Sequence, residues 1–210
     1  PTAIRGAART VSSISIREIT IILGVRRSGK STLMYQMIAG LLKKGIEPEQ
    51  ILFANLEDRK LEGDGLEDIY SSYREHINPE KKAYVFIDEI HRREGWESWI
   101  RKKYDLKEEC KFVISGSCSY LLKKEYSTLL TGRNLSFEVF PLSFSEFLEF
   151  KGVKIAALQK GIITAKTQTK VKRSLAEYLE TGGFPEIFFT GDDFKLKILK
   201  QYFDDILYKD

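Results

Sequence analysis

Cysteine and histidine are nearly missing from this sequence: Cys110 and Cys118 make no C-x-x-C spacing, and His76 and His91 are the only imidazoles in 210 residues. That shortage argues against a disulfide framework and a structural zinc site, and makes a reducing cytoplasm the expected compartment. No apolar run approaches the roughly 18 residues a membrane helix needs, so no membrane partner is expected. An excess of one charge is missing too. The 34 basic and 30 acidic residues leave a net +4, too little by itself to predict a nucleic-acid partner. The guanine-reading string N-K-x-D is also absent. What remains is an ordinary globular composition, 42% hydrophobic and 30% charged, long enough for one sizeable domain or a core with a small appendage.

The start, Pro1 to Arg17, carries Arg5, Arg9 and Arg17 without an acid and has no secretory apolar core. It reads as a lead-in helix or a disordered arm over residues 1–18, with a transit peptide as the alternative on composition. The missing initiator Met suggests a fragment or a processed chain.

The most informative stretch is Gly24-Val25-Arg26-Arg27-Ser28-Gly29-Lys30-Ser31-Thr32, which fits G-x-x-x-x-G-K-[ST] at every constrained position. A triphosphate needs many converging N–H donors, a mobile cation and a hydroxyl for its magnesium. Gly24 and Gly29 admit backbone angles that a side chain would forbid, so the loop amides form a nest at a helix N-terminus, where peptide dipoles favour anions. Lys30 is expected to reach the β- and γ-phosphates and Ser31 to bind Mg²⁺. A chance glycine turn is the plainer alternative. Context opposes it: Ile19 to Leu23 is a β-branched run suited to a buried parallel strand, and Leu33, Met34, Met37, Ile38 and Leu41 recur on one helical face.

Ile51 to Asn55 predicts a second strand, and Asp64 with Glu67 has capping-box spacing ahead of a helix bearing Leu66, Ile69, Tyr70 and Tyr73. Ala83 to Ile87 is an apolar strand that delivers Asp88 and Glu89 at its C-terminal end, the edge where open α/β sheets bind ligands. Two adjacent acids there are costly to bury without a cation. Asp88 is read as the holder of Mg²⁺ through its water shell, Glu89 as the group that orients the attacking water. Alone, a D-E pair is more often a solvated turn; the phosphate loop tips the balance.

Trp96, Trp99, Ile100 and Tyr104 mark an amphipathic helix after Gly95, and Lys111 to Ser115 a further strand. Ser117, or Ser115, at that strand's end is a candidate γ-phosphate sensor, with a plain Ser-Gly turn as the equal alternative. Ser119 is read as the cap of a helix carrying Leu121, Leu122, Tyr126, Leu129 and Leu130. Arg133, in a loop before a fifth strand at Leu135 to Val139, is a candidate for stabilising charge on the γ-phosphate, from a neighbouring subunit in a homo-oligomer, or else a surface arginine.

Alternating strands and helices imply an α/β fold, a three-layer α/β/α arrangement with a mostly parallel five-stranded sheet, over residues 19–140. Residues 141–210 read as a helical appendage. Ser143 with Glu146 makes a capping box and Leu142 with Phe147 a hydrophobic staple, Ser174 with Glu177 repeats the box, and Gly182-Gly183 stops that helix. Lys151 to Arg173 holds seven basic residues and no acid, a flexible connector or a nucleic-acid contact without aromatics to stack bases. Phe194, Ile198, Tyr202, Phe203, Ile206 and Leu207 are expected on one face of the last helix.

Six stretches then stand in a telling order: Gly24 to Thr32, Phe86 to Ile90 with Gly95-Trp96-Glu97, Ile114 to Ser117, Leu130 to Arg133, Phe140 to Phe147, and Gly182 to Glu186. Together they resemble a prokaryotic, largely archaeal, AAA-type P-loop ATPase family over about Ile19 to Asp210. The resemblance implies an AAA+ core and a helical lid truncated at its C-terminal end, with ATP and Mg²⁺ as ligands and a further C-terminal domain of nuclease-like or winged-helix character. By position it makes Gly24 to Ser31 the Walker A loop, Asp88 and Glu89 the Walker B acids, Ser117 or Ser115 the sensor and Arg133 the finger. Two departures stand out: His91 where that family usually has Gln, and Cys118 where Asn is common. The expected function is Mg²⁺-dependent ATP hydrolysis coupled to movement of the lid and a partner domain. The alternative is a nucleotide-gated DNA-binding module that seldom hydrolyses.

Overall fold

The computed structural model describes residue 14 and residues 16–117, 130–154 and 164–209. These form two compact units. One holds residues 25–29 with the described part of 140–210, the other the described parts of 9–24 and 30–139.

The larger unit is an α/β sheet of five strands: β1 (Ile19–Leu23), β2 (Ile51–Asn55), β3 (Ala83–Asp88), β4 (Cys110–Gly116) and β5 (Asn134–Glu138). Their spatial order is β2-β3-β4-β1-β5, and all four pairings are parallel. Parallel neighbours require crossovers, which helices α1 (Lys30–Lys43), α2 (Leu66–His76) and α3 (Trp96–Asp105) supply. Every residue of β1 is buried, as its unbroken apolar run demands of a strand covered on both faces. Ile19, Ile21 and Leu23 point to one face, where Tyr70 and Tyr73 of α2 and Trp96 and Ile100 of α3 complete the main core. Edge-on rings tie Trp99 to Tyr70 and to Phe112 of β4. Leu33, Met34, Met37 and Leu41 of α1 are buried outside that cluster, so apolar helix faces serve both sides of the sheet.

One local expectation shifts. The helix cap lies at Gly65, whose N–H donates to Asp68 Oδ2 at 3.1 Å, not at Asp64 with Glu67. Glu67 is engaged across the helices instead, accepting from Trp99 Nε1 at 2.6 Å and Lys103 Nζ at 3.0 Å. The Lys103 and Trp99 donors hold its carboxyl below the usual range, against the opposing effect of burial.

The smaller unit contains α4 (Phe144–Phe150), α5 (Ala165–Thr181) and α6 (Asp192–Lys209). The Ser143–Glu146 box caps α4 as expected, with Glu146 N–H donating to Ser143 Oγ at 3.4 Å and Ser143 N–H to Glu146 Oε2 at 2.8 Å. Leu142 and Phe147, the staple residues, are both buried. Gly182 ends α5, and Gly183 accepts the Leu142 N–H at 2.7 Å. Two expectations fail here, and a third is refined. Ser174 caps nothing: it lies buried inside α5, which begins at a Thr164 cap because Lys166 to Arg173 favour helix. For the same reason the last part of Lys151 to Arg173 is helix rather than connector. The stripe on α6 is also divided. Tyr202 is buried and Ile198 and Ile206 half-buried, while Phe194, Phe203 and Leu207 are exposed.

The expectations for residues 1–13, Cys118, Ser119 and Leu121 to Leu129 lie outside the described residues.

Candidate functional site

Strand β1 ends at Leu23, the chain turns through residues 24–29, and α1 begins at Lys30. Gly29 has φ +107°, a region closed to most side chains, which is why the second motif glycine is needed. Arg27 takes the left-handed region at φ 62°. The Ser28 N–H donates to the Val25 carbonyl at 3.3 Å, closing the turn. Ser28 is 1% exposed, and its hydroxyl has no hydrogen-bond partner among the described residues. Arg27 belongs with the smaller unit, where it donates to Glu186 Oε2 at 2.5 Å and sits 4.5 Å over the Tyr202 ring. Bonds from Tyr202 and Arg27 hold the Glu186 carboxyl below its usual range, while burial opposes them.

Within the larger unit, Lys30 and Ser31 begin α1 against the end of β3. Lys30 is 4% exposed, and its Nζ donates to the Gly24 carbonyl at 3.0 Å. Ser31 Oγ donates to Asp88 Oδ2 at 2.5 Å. Asp88, 1% exposed, also accepts through Oδ1 from Ser115 Oγ. Glu89 leaves the strand in the left-handed region, φ 57° and ψ 46°. Its N–H donates to Ser115 Oγ at 3.2 Å, and its carboxylate lies 3.6 Å from Lys30 Nζ and 3.5 Å from His91 Nδ1.

The structure therefore brings together Lys30, Ser31, Asp88 and Glu89, at the C-terminal edge of a parallel sheet as the sequence implies. Of the two candidate serines, Ser115 meets both acids; Ser117 is buried one residue beyond the strand. Arg133 is not brought to this edge. Its carbonyl accepts the Ile19 N–H at 2.8 Å, which puts it at the N-terminal end of β1 and β5, one strand length of about 13 Å away. Its guanidinium pairs with Asp105 at 2.8 Å. His91 is the neighbour that motif reading passed over as a departure. Its signal was positional, two residues after Glu89 in a tight turn.

A hydroxyl and a buried carboxylate are hard oxygen donors, and two of them suit Mg²⁺, which keeps water and phosphate oxygens as its other ligands. Among the described residues no group of three or more His, Cys, Asp or Glu is placed to hold a metal, so a fully protein-ligated ion does not fit. The partnerless Ser28 hydroxyl and the amides around it fit an anion in the loop. No described helix is long and apolar enough to cross a membrane.

These features have counterparts among known proteins. An uncharacterized protein of Methanocaldococcus jannaschii is 34% identical over 194 residues, covering 92% of this chain and 42% of that protein. An uncharacterized protein of Haemophilus influenzae is 35% identical over 195 residues, with coverage of 91% and 46%. The chain thus spans less than half the length of these curated relatives, and they are not confined to archaea. Among solved structures, AMPPCP-bound DnaA from Aquifex aeolicus aligns with 97% of this chain and 62% of its own at a TM-score of 0.53 and 12% identity, a likeness of fold alone. A family model described as an AAA domain matches residues 16–148, which take in all five strands, the loop and both acids; the chain belongs to that AAA domain family.

Proposed function

We propose that this chain binds ATP with Mg²⁺ and hydrolyses the β,γ-anhydride. The observation that supports the reading best is the pairing of Ser31 with Asp88 beside Lys30 and Glu89, because the motif's ammonium and hydroxyl and the strand-end acids then lie within one triphosphate's reach of each other. The amides of residues 24–31 cradle the phosphates, and Lys30 exchanges its bond to the Gly24 carbonyl for β- and γ-oxygens. Ser31 and Asp88 would hold Mg²⁺, which when bound would neutralise charge on the transferring group. Glu89 orients a water in line with the γ-phosphorus and accepts its proton. Ser115 braces the acids. Adenine is chosen on family membership, and AMPPCP in the structurally similar DnaA accords with it. In this reading the smaller unit is the lid, and nucleotide state is transmitted through Arg27, which Glu186 holds within that unit.

Steady-state phosphate release tests the proposal. Glu89→Gln keeps ATP binding and loses turnover by about 10²-fold or more; normal turnover in that variant refutes the role of Glu89.

One observation favours a second reading, a nucleotide-gated DNA-binding module. Lys166, Lys170, Lys172 and Arg173 are all exposed on α5, and Lys166, Lys170 and Arg173 share one face. A DNA titration across salt concentrations decides it: no binding at low salt, or no loss after neutralising these four, eliminates this reading.

A further inference from the structure

The geometry points to His91 as the positioning residue for the Glu89 carboxylate, an inference that rests on the function proposed above. A glutamate in the left-handed region at φ 57° is uncommon and persists only where its surroundings enforce it. Here the backbone is enforced by the Ser115 hydroxyl on the Glu89 N–H, and by a turn over Ile90–Arg92 closed by the Arg92 N–H on the Glu89 carbonyl at 3.1 Å. That turn carries His91 back toward the carboxylate it follows.

The two oxygens of Glu89 face different nitrogens. Oε1 lies 3.6 Å from Lys30 Nζ and Oε2 lies 3.5 Å from His91 Nδ1. Both side chains are largely withdrawn from water, His91 at 10% and Glu89 at 13% exposure. The two contacts have different fates when a triphosphate binds. Lys30 is the loop cation, and a γ-phosphate of higher charge takes its ammonium from Glu89. His91 is on the turn after β3, has no part in holding phosphate, and stays. A glutamate has three side-chain torsions, whose freedom is worth about 1–2 kcal/mol, so a carboxylate that gives up Lys30 gains freedom to swing out of line with the attacking water. His91 Nδ1, which stands 3.5 Å from Oε2 without hydrogen-bonding to it, supplies a hold by closing on the carboxylate that Lys30 gives up.

A kcat-against-KM split is the decisive measurement. His91→Ala is expected to lower kcat for ATP by about 10- to 100-fold with KM and nucleotide affinity changed less than twofold. His91→Asn, whose amide nitrogen stands where Nδ1 stands, should restore most of the rate. In a Glu89→Gln background His91→Ala should add no further loss, since the two act as one unit. Turnover that Glu89→Gln abolishes and His91→Ala preserves overturns this inference alone. So does a loss in His91→Ala that appears equally in nucleotide affinity, or that Asn fails to relieve. No turnover in the wild-type protein overturns the function and this inference together. Ring ¹⁵N shifts of His91 provide a readout independent of rate: they move on Glu89→Gln if the contact exists, and identical shifts disprove it.

Discussion

Ser31 and Asp88, 57 residues apart in sequence, are joined by a hydroxyl-to-carboxylate bond of 2.5 Å. The bond spans the start of α1 and the end of β3, so it measures how close the first turn of that helix comes to the strand-end acids. The two oxygens are also the pair read here as magnesium ligands. Ser31→Ala removes one of them while sparing Lys30 and the loop amides. Titration with a fluorescent ATP analogue, in magnesium and then in EDTA, should show wild type binding more tightly with the ion and the variant binding about equally in both. A variant that keeps the full magnesium-dependent gain would show that Ser31 is not a ligand.

Arg133 is separated from that site by the length of a strand, and this changes what its removal should do. Within one molecule, Arg133→Ala breaks the pairing with Asp105 and a bond to the Thr131 carbonyl at 3.4 Å, neither of them at the Ser31–Asp88 edge, so ATP turnover per molecule in dilute protein should match wild type. An effect that grows with protein concentration would assign Arg133 to a neighbouring subunit's site. A large loss at high dilution would contradict the placement.

The distance was legible before any coordinates. Arg133 immediately precedes a strand, Asp88 ends one, and in a parallel sheet those positions lie at opposite edges. The motif identified the residue type but carried no information about the edge. Strands were the easiest elements to read: Ile19–Leu23 and Ile51–Asn55 are matched residue for residue, the first because a short β-branched run buried throughout has few alternative uses, the second although it is an edge strand in which only Ala54 is fully buried. Capping signals were the hardest. Ser174-x-x-Glu177 has the same spacing as Ser143-x-x-Glu146, yet one is interior to a helix and the other begins one, since the box does not specify whether the preceding residues are already helical. The contact between His91 and Glu89 depends on a left-handed glutamate, a conformation that no sequence propensity announces.

Gly183 is constrained by contact within the smaller unit rather than by torsion. It accepts the Leu142 N–H, and a Cβ built on it would stand 2.0 Å from the Leu142 carbonyl oxygen, a backbone atom that has no rotamer to yield. Gly183→Ala therefore costs at least the about 1–3 kcal/mol typical of overpacking. Denaturant unfolding followed by circular dichroism measures the loss, and a change below about 0.5 kcal/mol, ordinary for a neutral substitution, would show that the two segments are not in register as described.

Lys111, at the start of β4, is 1% exposed, and its ammonium donates to the Glu18 carbonyl. Burial pushes its pKa down from 10.5 to about 8; the charge of Glu18 opposes the shift and that of Lys82 adds to it. The unfolded chain binds the proton up to the ordinary lysine range while the folded chain releases it near 8. Between those values the unfolded state holds more protons, so stability rises with pH. Below about 8 both states are charged and the full cost of burying the ammonium is borne. The rise is bounded at about 3 kcal/mol, the free-energy equivalent of the shift. Other groups titrate in the same range, so the quantity to follow is the difference in unfolding free energy between wild type and Lys111→Met from about pH 7.5 to 10. Wild type should gain steadily on the variant as pH increases. A flat difference would mean that the amine is charged in the fold throughout, and a falling one that it gains more from Glu18 than it loses to burial.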